Sequence, residues 1–170
     1  MHELVLGGVS SGKSAWAEAR AARHPRVTYV ATAEARDGEM AERLRRHRAR
    51  RPAHWRTLEA GDDLPDLLRV HREADHCLLV DGLGLWLARF VDDATRLRAA
   101  AEALPVALEA ASGPVLLVSD EVGLGGVAAH PVARRFADHL GRLNQALAAR
   151  CARVVLVAAG LPLYLKGEPQ

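Results

Sequence analysis

The residues Gly7-Gly8-Val9-Ser10-Ser11-Gly12-Lys13-Ser14 satisfy G-x-x-x-x-G-K-[ST], follow a strand-like run at Glu3 to Leu6 and open a helix-like segment. That is the setting in which the pattern cradles phosphate. Its glycines let the backbone curl so that successive amides face phosphate oxygens, and the helix N-terminus adds partial positive charge. Lys13 is placed to neutralise the β and γ phosphates, and the Ser14 hydroxyl to ligate Mg²⁺, which keeps most of its waters and needs only one or two protein oxygens. Asp81, ending the run Cys77-Leu78-Leu79-Val80, is the natural acid for the same ion. Nucleotide binding is the reading these residues support best. Against it stand a glycine-rich strand-to-helix turn without a ligand and, for Asp81, a plain helix cap.

A second constellation follows. Seven arginines fall between Arg43 and Arg56: Arg43, Arg45, Arg46, Arg48, Arg50, Arg51 and Arg56. On a helix, Met40, Leu44 and His47 share one face while Arg45 and Arg48 point away, so the His47 imidazole faces protein or ligand. A neutral imidazole can attack phosphorus, with neighbouring guanidinium groups lowering its pKa and stabilising charge on the transferring phosphate. Two plainer readings stay open on these residues alone: a packed core histidine, and an arginine run that is a solvated face or polyanion patch.

The elements that must position these groups alternate. Apolar strand-like runs at Glu3 to Leu6, Arg26 to Thr32, His76 to Asp81, Pro114 to Ser119 and Arg153 to Ala159 are separated by amphipathic segments at Ser14 to Arg23, Gly38 to Arg51, Asp62 to Glu73, Leu83 to Val91, Ala94 to Ala111 and Pro131 to Arg150. Near-continuous apolar strands joined by helices predict a buried parallel sheet of βαβ units with helices on both faces. With the phosphate loop at the first turn, the expected fold is a P-loop NTPase of RecA-like form, a three-layer α/β/α arrangement around a mostly parallel sheet, in one domain spanning residues 1–170. Pro105 is expected to split or bend the Ala94 to Ala111 helix, and one further edge strand is expected around Leu163 to Leu165. In such sheets ligands bind at the carboxyl ends of the strands. That points to Gly7 onward, Thr32 and Ala33, Asp81, and Asp120 with Glu121.

Composition bounds the rest. At 170 residues, 49% hydrophobic and 26% charged, the chain can bury a core and is not disordered. Lys plus Arg number 23 against 21 Asp plus Glu, a net +2, and aromatics are 4%, which disfavours a nucleic-acid binder. Cys77 and Cys151 fit neither a disulfide framework nor metal-ligand spacing, so a reducing, cytoplasmic setting is expected. No apolar stretch approaches the roughly 20 residues of a membrane span, and the first one runs into glycines instead of a cleavage site.

The sequence resembles the bifunctional adenosylcobinamide kinase and adenosylcobinamide-phosphate guanylyltransferase family of cobalamin biosynthesis over nearly its whole length. The likeness is carried by the Gly7 to Ser14 loop, Tyr29-Val30-Ala31-Thr32, the His47 segment, Arg51-Pro52-Ala53-His54-Trp55-Arg56-Thr57, Glu121-Val122-Gly123, Gly141-Arg142-Leu143-Asn144-Gln145 and Gly160-Leu161-Pro162-Leu163. Many enzymes share the phosphate loop; the Arg-Pro-Ala-His-Trp-Arg-Thr stretch is far more particular. The resemblance implies that the guanylylated histidine is His47 and not His54, with Lys13 the other catalytic residue. It implies nucleotide contacts from the loop residues, Ala31, Thr32, Ala33, Arg48, Ala49, Arg50, Arg51, Glu59 and Asp81, and Mg²⁺ at Ser14 and Asp81. Glu59 makes sense as a guanine reader, because a carboxylate accepts from both the ring N–H and the exocyclic amine. The implied substrates are ATP and GTP, the implied partners adenosylcobinamide and adenosylcobinamide phosphate, and the implied assembly a homo-oligomer, a trimer. This chain departs from the family pattern at Gly82 and Gly84, where side chains such as Cys and Thr are expected, and at Asp120, where Asn is frequent.

Two other functions are weighed against this one. A monofunctional P-loop small-molecule kinase would leave His47 structural. A nucleotide-binding switch or nucleic-acid-associated ATPase would use the arginines as a polyanion footprint.

Overall fold

The computed structural model describes residues 1–32 and 51–168 together with Gly38 and Arg45. Seven strands form one sheet in the order β3-β2-β4-β5-β1-β6-β7: β1 (His2–Gly7), β2 (Arg26–Ala31), β3 (Arg56–Glu59), β4 (His76–Asp81), β5 (Val115–Asp120), β6 (Arg153–Ala158) and β7 (Leu161–Lys166). All neighbours pair in parallel except β6 with β7. Numbered over the described residues, the helices are α1 (Lys13–Ala21), α2 (Leu64–Arg69), α3 (Leu83–Ala88), α4 (Ala94–Ala110) and α5 (Pro131–Arg150).

Successive strand residues face opposite sides of a sheet, so a strand apolar at every position needs cover on both. Leu4 and Val5, Leu78 and Leu79, and Leu117 and Leu116 divide in that way between two core clusters. One cluster takes Ala17 and Ala21 of α1. The other takes Leu64 and Leu68 of α2, Leu83, Trp86 and Leu87 of α3, Leu97, Leu104 and Leu108 of α4, and Leu140, Leu143 and Leu147 of α5. The expected layers of helix, mostly parallel sheet and helix are present. Trp86 and Leu87 are fully buried, and Phe90 is nearly so.

Three local expectations are corrected. Strand β3 was not expected: Arg-Thr-Leu-Glu carries one apolar residue and forms a largely exposed edge, where packing asks little of the side chains. Of the two outcomes expected at Pro105, the split does not occur, since α4 runs from Ala94 to Ala110 with Pro105 buried inside it. Alanine-rich flanks and the burial of Leu104, Ala107 and Leu108 outweigh one missing amide bond. Helix α2 is shorter than the expected Asp62 to Glu73.

A buried ionic cluster fixes the strand that carries the phosphate loop. The Glu3 carboxylate on β1, 5% exposed, accepts from Arg20 Nε at 3.1 Å and Nη2 at 2.8 Å, and from Arg153 Nη1 on β6. The carboxylate therefore has partners on α1 and on the adjacent strand, as a buried charge requires.

Candidate active site

Gly7 ends β1 and leads into a tight turn in which Ser11 N donates to Gly8 O at 3.3 Å. Ser10 sits at φ 57° and Gly12, the residue before α1, at φ 93°, left-handed values that cost a non-glycine residue roughly 1–2 kcal/mol. A Cβ on Gly12 would also stand 3.1 Å from Gly160 Cα, and one on Gly7 2.7 Å from Val157 O. The turn between β6 and β7 backs the loop, with Gly160 N donating to Ser11 O at 2.8 Å. Lys13 and Ser14 thus open a helix whose free amides face the loop. Lys13 Nζ donates to Gly8 O at 3.1 Å and pairs with Asp120 Oδ1 at 2.9 Å.

Ser14 reaches Asp81 across the sheet. Its hydroxyl donates to Asp81 Oδ1 at 3.1 Å, while the Tyr29 hydroxyl donates to Oδ2 at 2.7 Å. Burial, followed by the Asp81 charge, pushes the Tyr29 phenol well above its ordinary pKa, so it stays a proton donor. Thr32 Oγ1 lies 2.9 Å from Asp81 O and 2.7 Å from Gly82 O and donates toward both. Gly82, at φ 100°, could not carry a Cβ without placing it 2.8 Å from that oxygen, which accounts for glycine directly after the acid.

Strand register lines up the remaining candidates. Ala31 pairs with Glu59 on one side and Asp81 on the other, so Glu59 and Asp81 lie two strand spacings apart, roughly 10 Å. Across the sheet Gly7 pairs with Asp120. The Glu59 corner is tied down by Ala60 N donating to Ala31 O at 2.9 Å and by the buried Trp86 indole donating to Gly61 O at 3.0 Å. Arg51 lays its guanidinium over the Tyr29 ring, Cζ 3.3 Å from the centroid, and its Nε and Nη1 are buried without a hydrogen-bond partner among the described residues.

Beyond β5 the chain is held by Asn144 of α5, which accepts from Ser119 Oγ at 2.7 Å and donates to Asp120 O at 3.0 Å. Glu121 N donates to Gly7 O at 3.1 Å, and the Glu121 side chain accepts from Gly123 N and Leu124 N. A cavity of about 850 Å³ opens between this loop and α5, lined among others by Leu6, Glu121, Val127, Arg134 and Gln145.

Of the residues singled out from sequence, Gly7, Gly8, Val9, Ser10, Ser11, Gly12, Lys13, Ser14, Ala31, Thr32, Glu59 and Asp81 gather along the carboxyl edge of the sheet, with Arg51 stacked behind Asp81's partner. His47, with Ala33, Arg48, Ala49 and Arg50, lies outside the described residues, as does most of the expected Gly38 to Arg51 helix; Gly38 and Arg45 are helical. Tyr29 was read only as part of a strand end, and Asn144 only as part of a motif. The signal for Tyr29 was its period-two match to Ala31, on the sheet face that Asp81 shares.

Comparison with known proteins agrees with this layout. The family model for cobinamide kinase / cobinamide phosphate guanyltransferase matches residues 3–165. The chain is 52% identical, over 99% of both chains, to the bifunctional adenosylcobalamin biosynthesis protein CobP of Pseudomonas aeruginosa. It is 35% identical, over 96% of its own length and 98% of the relative's, to the bifunctional adenosylcobalamin biosynthesis protein CobU of Salmonella typhimurium. Among solved structures, a prototypical ATPase from the type III secretion system of pathogenic bacteria superposes with TM-score 0.56 over 96% of this chain and 56% of that one, at 10% identity. That likeness speaks to fold alone, and the fold is the RecA-like P-loop form. With the family model matched across the phosphate loop, the Glu59 corner and the last hairpin, the chain belongs to the cobinamide kinase / cobinamide phosphate guanyltransferase family.

Proposed function

We propose that this chain, as one catalytic domain over residues 1–170, phosphorylates adenosylcobinamide with ATP or GTP and then transfers GMP from GTP to adenosylcobinamide phosphate. The observation that carries the reading is the meeting of Ser14 with Asp81 at the base of the phosphate loop, in a chain whose family carries both activities in its description. The two oxygens, 3.1 Å apart, are both the hard donors Mg²⁺ takes. Ser14 and Asp81 would hold the ion, which when bound supplies positive charge to the β and γ phosphates.

In the kinase step the terminal hydroxyl of the acceptor's aminopropanol arm attacks the γ phosphorus and the nucleoside diphosphate leaves. Lys13 and the loop amides take up charge on the transferring group. In the second step the His47 imidazole attacks the α phosphorus of GTP, pyrophosphate leaves, and the histidine-bound GMP passes to the phosphate of adenosylcobinamide phosphate, giving adenosylcobinamide-GDP. Glu59, at the far end of the row from Ser14, reads the guanine; Arg51, with Arg48 and Arg50, holds phosphate. The working form is a cytoplasmic homo-oligomer, a trimer as the family likeness suggests. Among the described residues no helix is long and apolar enough to cross a membrane.

Incubation with GTP labelled in the α phosphate tests the reading. The wild-type chain retains label that is acid-labile and alkali-stable, and adenosylcobinamide phosphate removes it. His47→Ala retains none while keeping kinase turnover. Label retained by His47→Ala refutes the nucleophile, and no label on the wild type refutes the transferase.

A further inference from the structure

Tyr29 belongs to none of the groups assigned above, yet it touches two of them. It lies on β2, 3% exposed. Its hydroxyl donates to Asp81 Oδ2 at 2.7 Å, leaving Oδ1 to face Ser14. A carboxylate turns about one bond, so tying one oxygen fixes where the other points. The opposite side of the same residue, its ring face, carries the Arg51 guanidinium at 3.3 Å. A stacked guanidinium keeps its N–H groups in the ring-parallel plane and free to bind. Two of its nitrogens, Nε and Nη1, are buried and have no hydrogen-bond partner among the described residues. Buried donors without partners are costly and rare, and charged N–H groups of this kind suit phosphate oxygens.

We propose that Tyr29 is a positioning residue that serves both halves of the nucleotide site: its hydroxyl orients Asp81 toward the metal position, and its ring presents Arg51 to a nucleotide phosphate. The inference rests on the assignment of Asp81 to Mg²⁺ and of Arg51 to nucleotide. Its own content is that one side chain sets both, by two separable contacts. The hydroxyl contact governs metal dependence; the ring contact governs metal-free nucleotide affinity.

The test is the binding of a fluorescent GTP analogue to the full chain, in EDTA and across a Mg²⁺ titration, with folding checked by circular dichroism. Tyr29→Phe keeps the ring and loses the hydroxyl. It raises the Mg²⁺ concentration for half-maximal enhancement of binding about 10-fold, the size expected for one hydrogen bond to a charged group, and leaves affinity in EDTA within about 2-fold. Tyr29→Leu loses both contacts and weakens binding in EDTA as well. Arg51→Lys keeps charge but not the planar group that stacks on the ring; it weakens binding in EDTA, leaves the Mg²⁺ midpoint in place, and reads the ring contact even where Tyr29→Leu does not fold. Asp81→Asn is the control for the underlying reading. If Asp81→Asn shifts the midpoint and Tyr29→Phe does not, the role of Tyr29 is refuted and the metal assignment stands. If Asp81→Asn shifts nothing, the metal assignment itself fails. Arg51→Lys that binds in EDTA like the wild type overturns the ring contact.

Discussion

Lys13 Nζ lies 2.9 Å from Asp120 Oδ1, and the carboxylate has room there because residue 84 is glycine: a Cβ at Gly84 would collide with Asp120 Oδ2. Gly84 and Asp120 therefore form one arrangement. An ion pair of this kind would compete with a phosphate for the loop lysine.

Removing that charge should help the ligand. Asp120→Asn is expected to tighten nucleotide binding about 2- to 5-fold, the scale of a partly exposed ion pair, as read by titration with a fluorescent GTP analogue. Gly84→Ala should displace the carboxylate and lower stability by roughly 1–3 kcal/mol, seen as a lower midpoint in urea. Unchanged affinity in Asp120→Asn would mean the pair does not compete with phosphate.

On the proposed reading, in which one loop receives the triphosphate in each half-reaction, Lys13→Ala should damage both. A loss on the order of 10²- to 10³-fold in kcat is expected for kinase turnover and for formation of the protein-bound GMP. A variant that loses only one of the two activities would point to separate nucleotide sites.

Glu59→Gln keeps one acceptor but turns the other oxygen into a donor. GTP should bind roughly 10-fold more weakly while ATP binding changes little, measured by competition against the same fluorescent probe. Equal weakening of both would assign Glu59 to the ribose or phosphates in place of the base.

Acid should destabilise the chain through histidines remote from the phosphate loop. Burial, then the charge of His76, holds the His71 pKa below its ordinary 6.5. Burial, then the N-terminal ammonium, does the same for His2, and burial lowers His24. The unfolded chain takes up protons near pH 6.5 that the folded chain refuses, so this stability is fully present above about 6.5 and is lost as pH falls below it. The melting temperature should drop between pH 7 and 5, and His71→Asn should flatten the slope. A flat profile for the wild type would show that these rings remain neutral or titrate without cost.

Legibility in the sequence followed burial and motif. The five inner strands were readable because each is apolar on both faces, and the phosphate loop because its glycines are demanded by φ and by contact with Gly160 and Val157. Strand β3 was not readable, since an exposed edge with a single leucine carries no period. The site was half legible. Glu59 and Asp81 were picked out, but their common edge depends on β2 lying between β3 and β4, an order that periodicity does not encode. The same gap hid Tyr29, whose partner Asp81 is 52 residues away and sits diagonally across a strand pair. The match of Gly84 to Asp120 was invisible for the same reason: a clash between two residues shows only once the fold brings them together.

The phosphate loop lies near the start of the chain, yet β1 is flanked by β5 and β6, and Ser11 is bonded by Gly160. During synthesis the loop is made well before its walls. Both neighbouring strands and the backing turn lie far downstream of it, so the nascent protein should acquire affinity for triphosphates only after β6 and the turn that follows it have emerged.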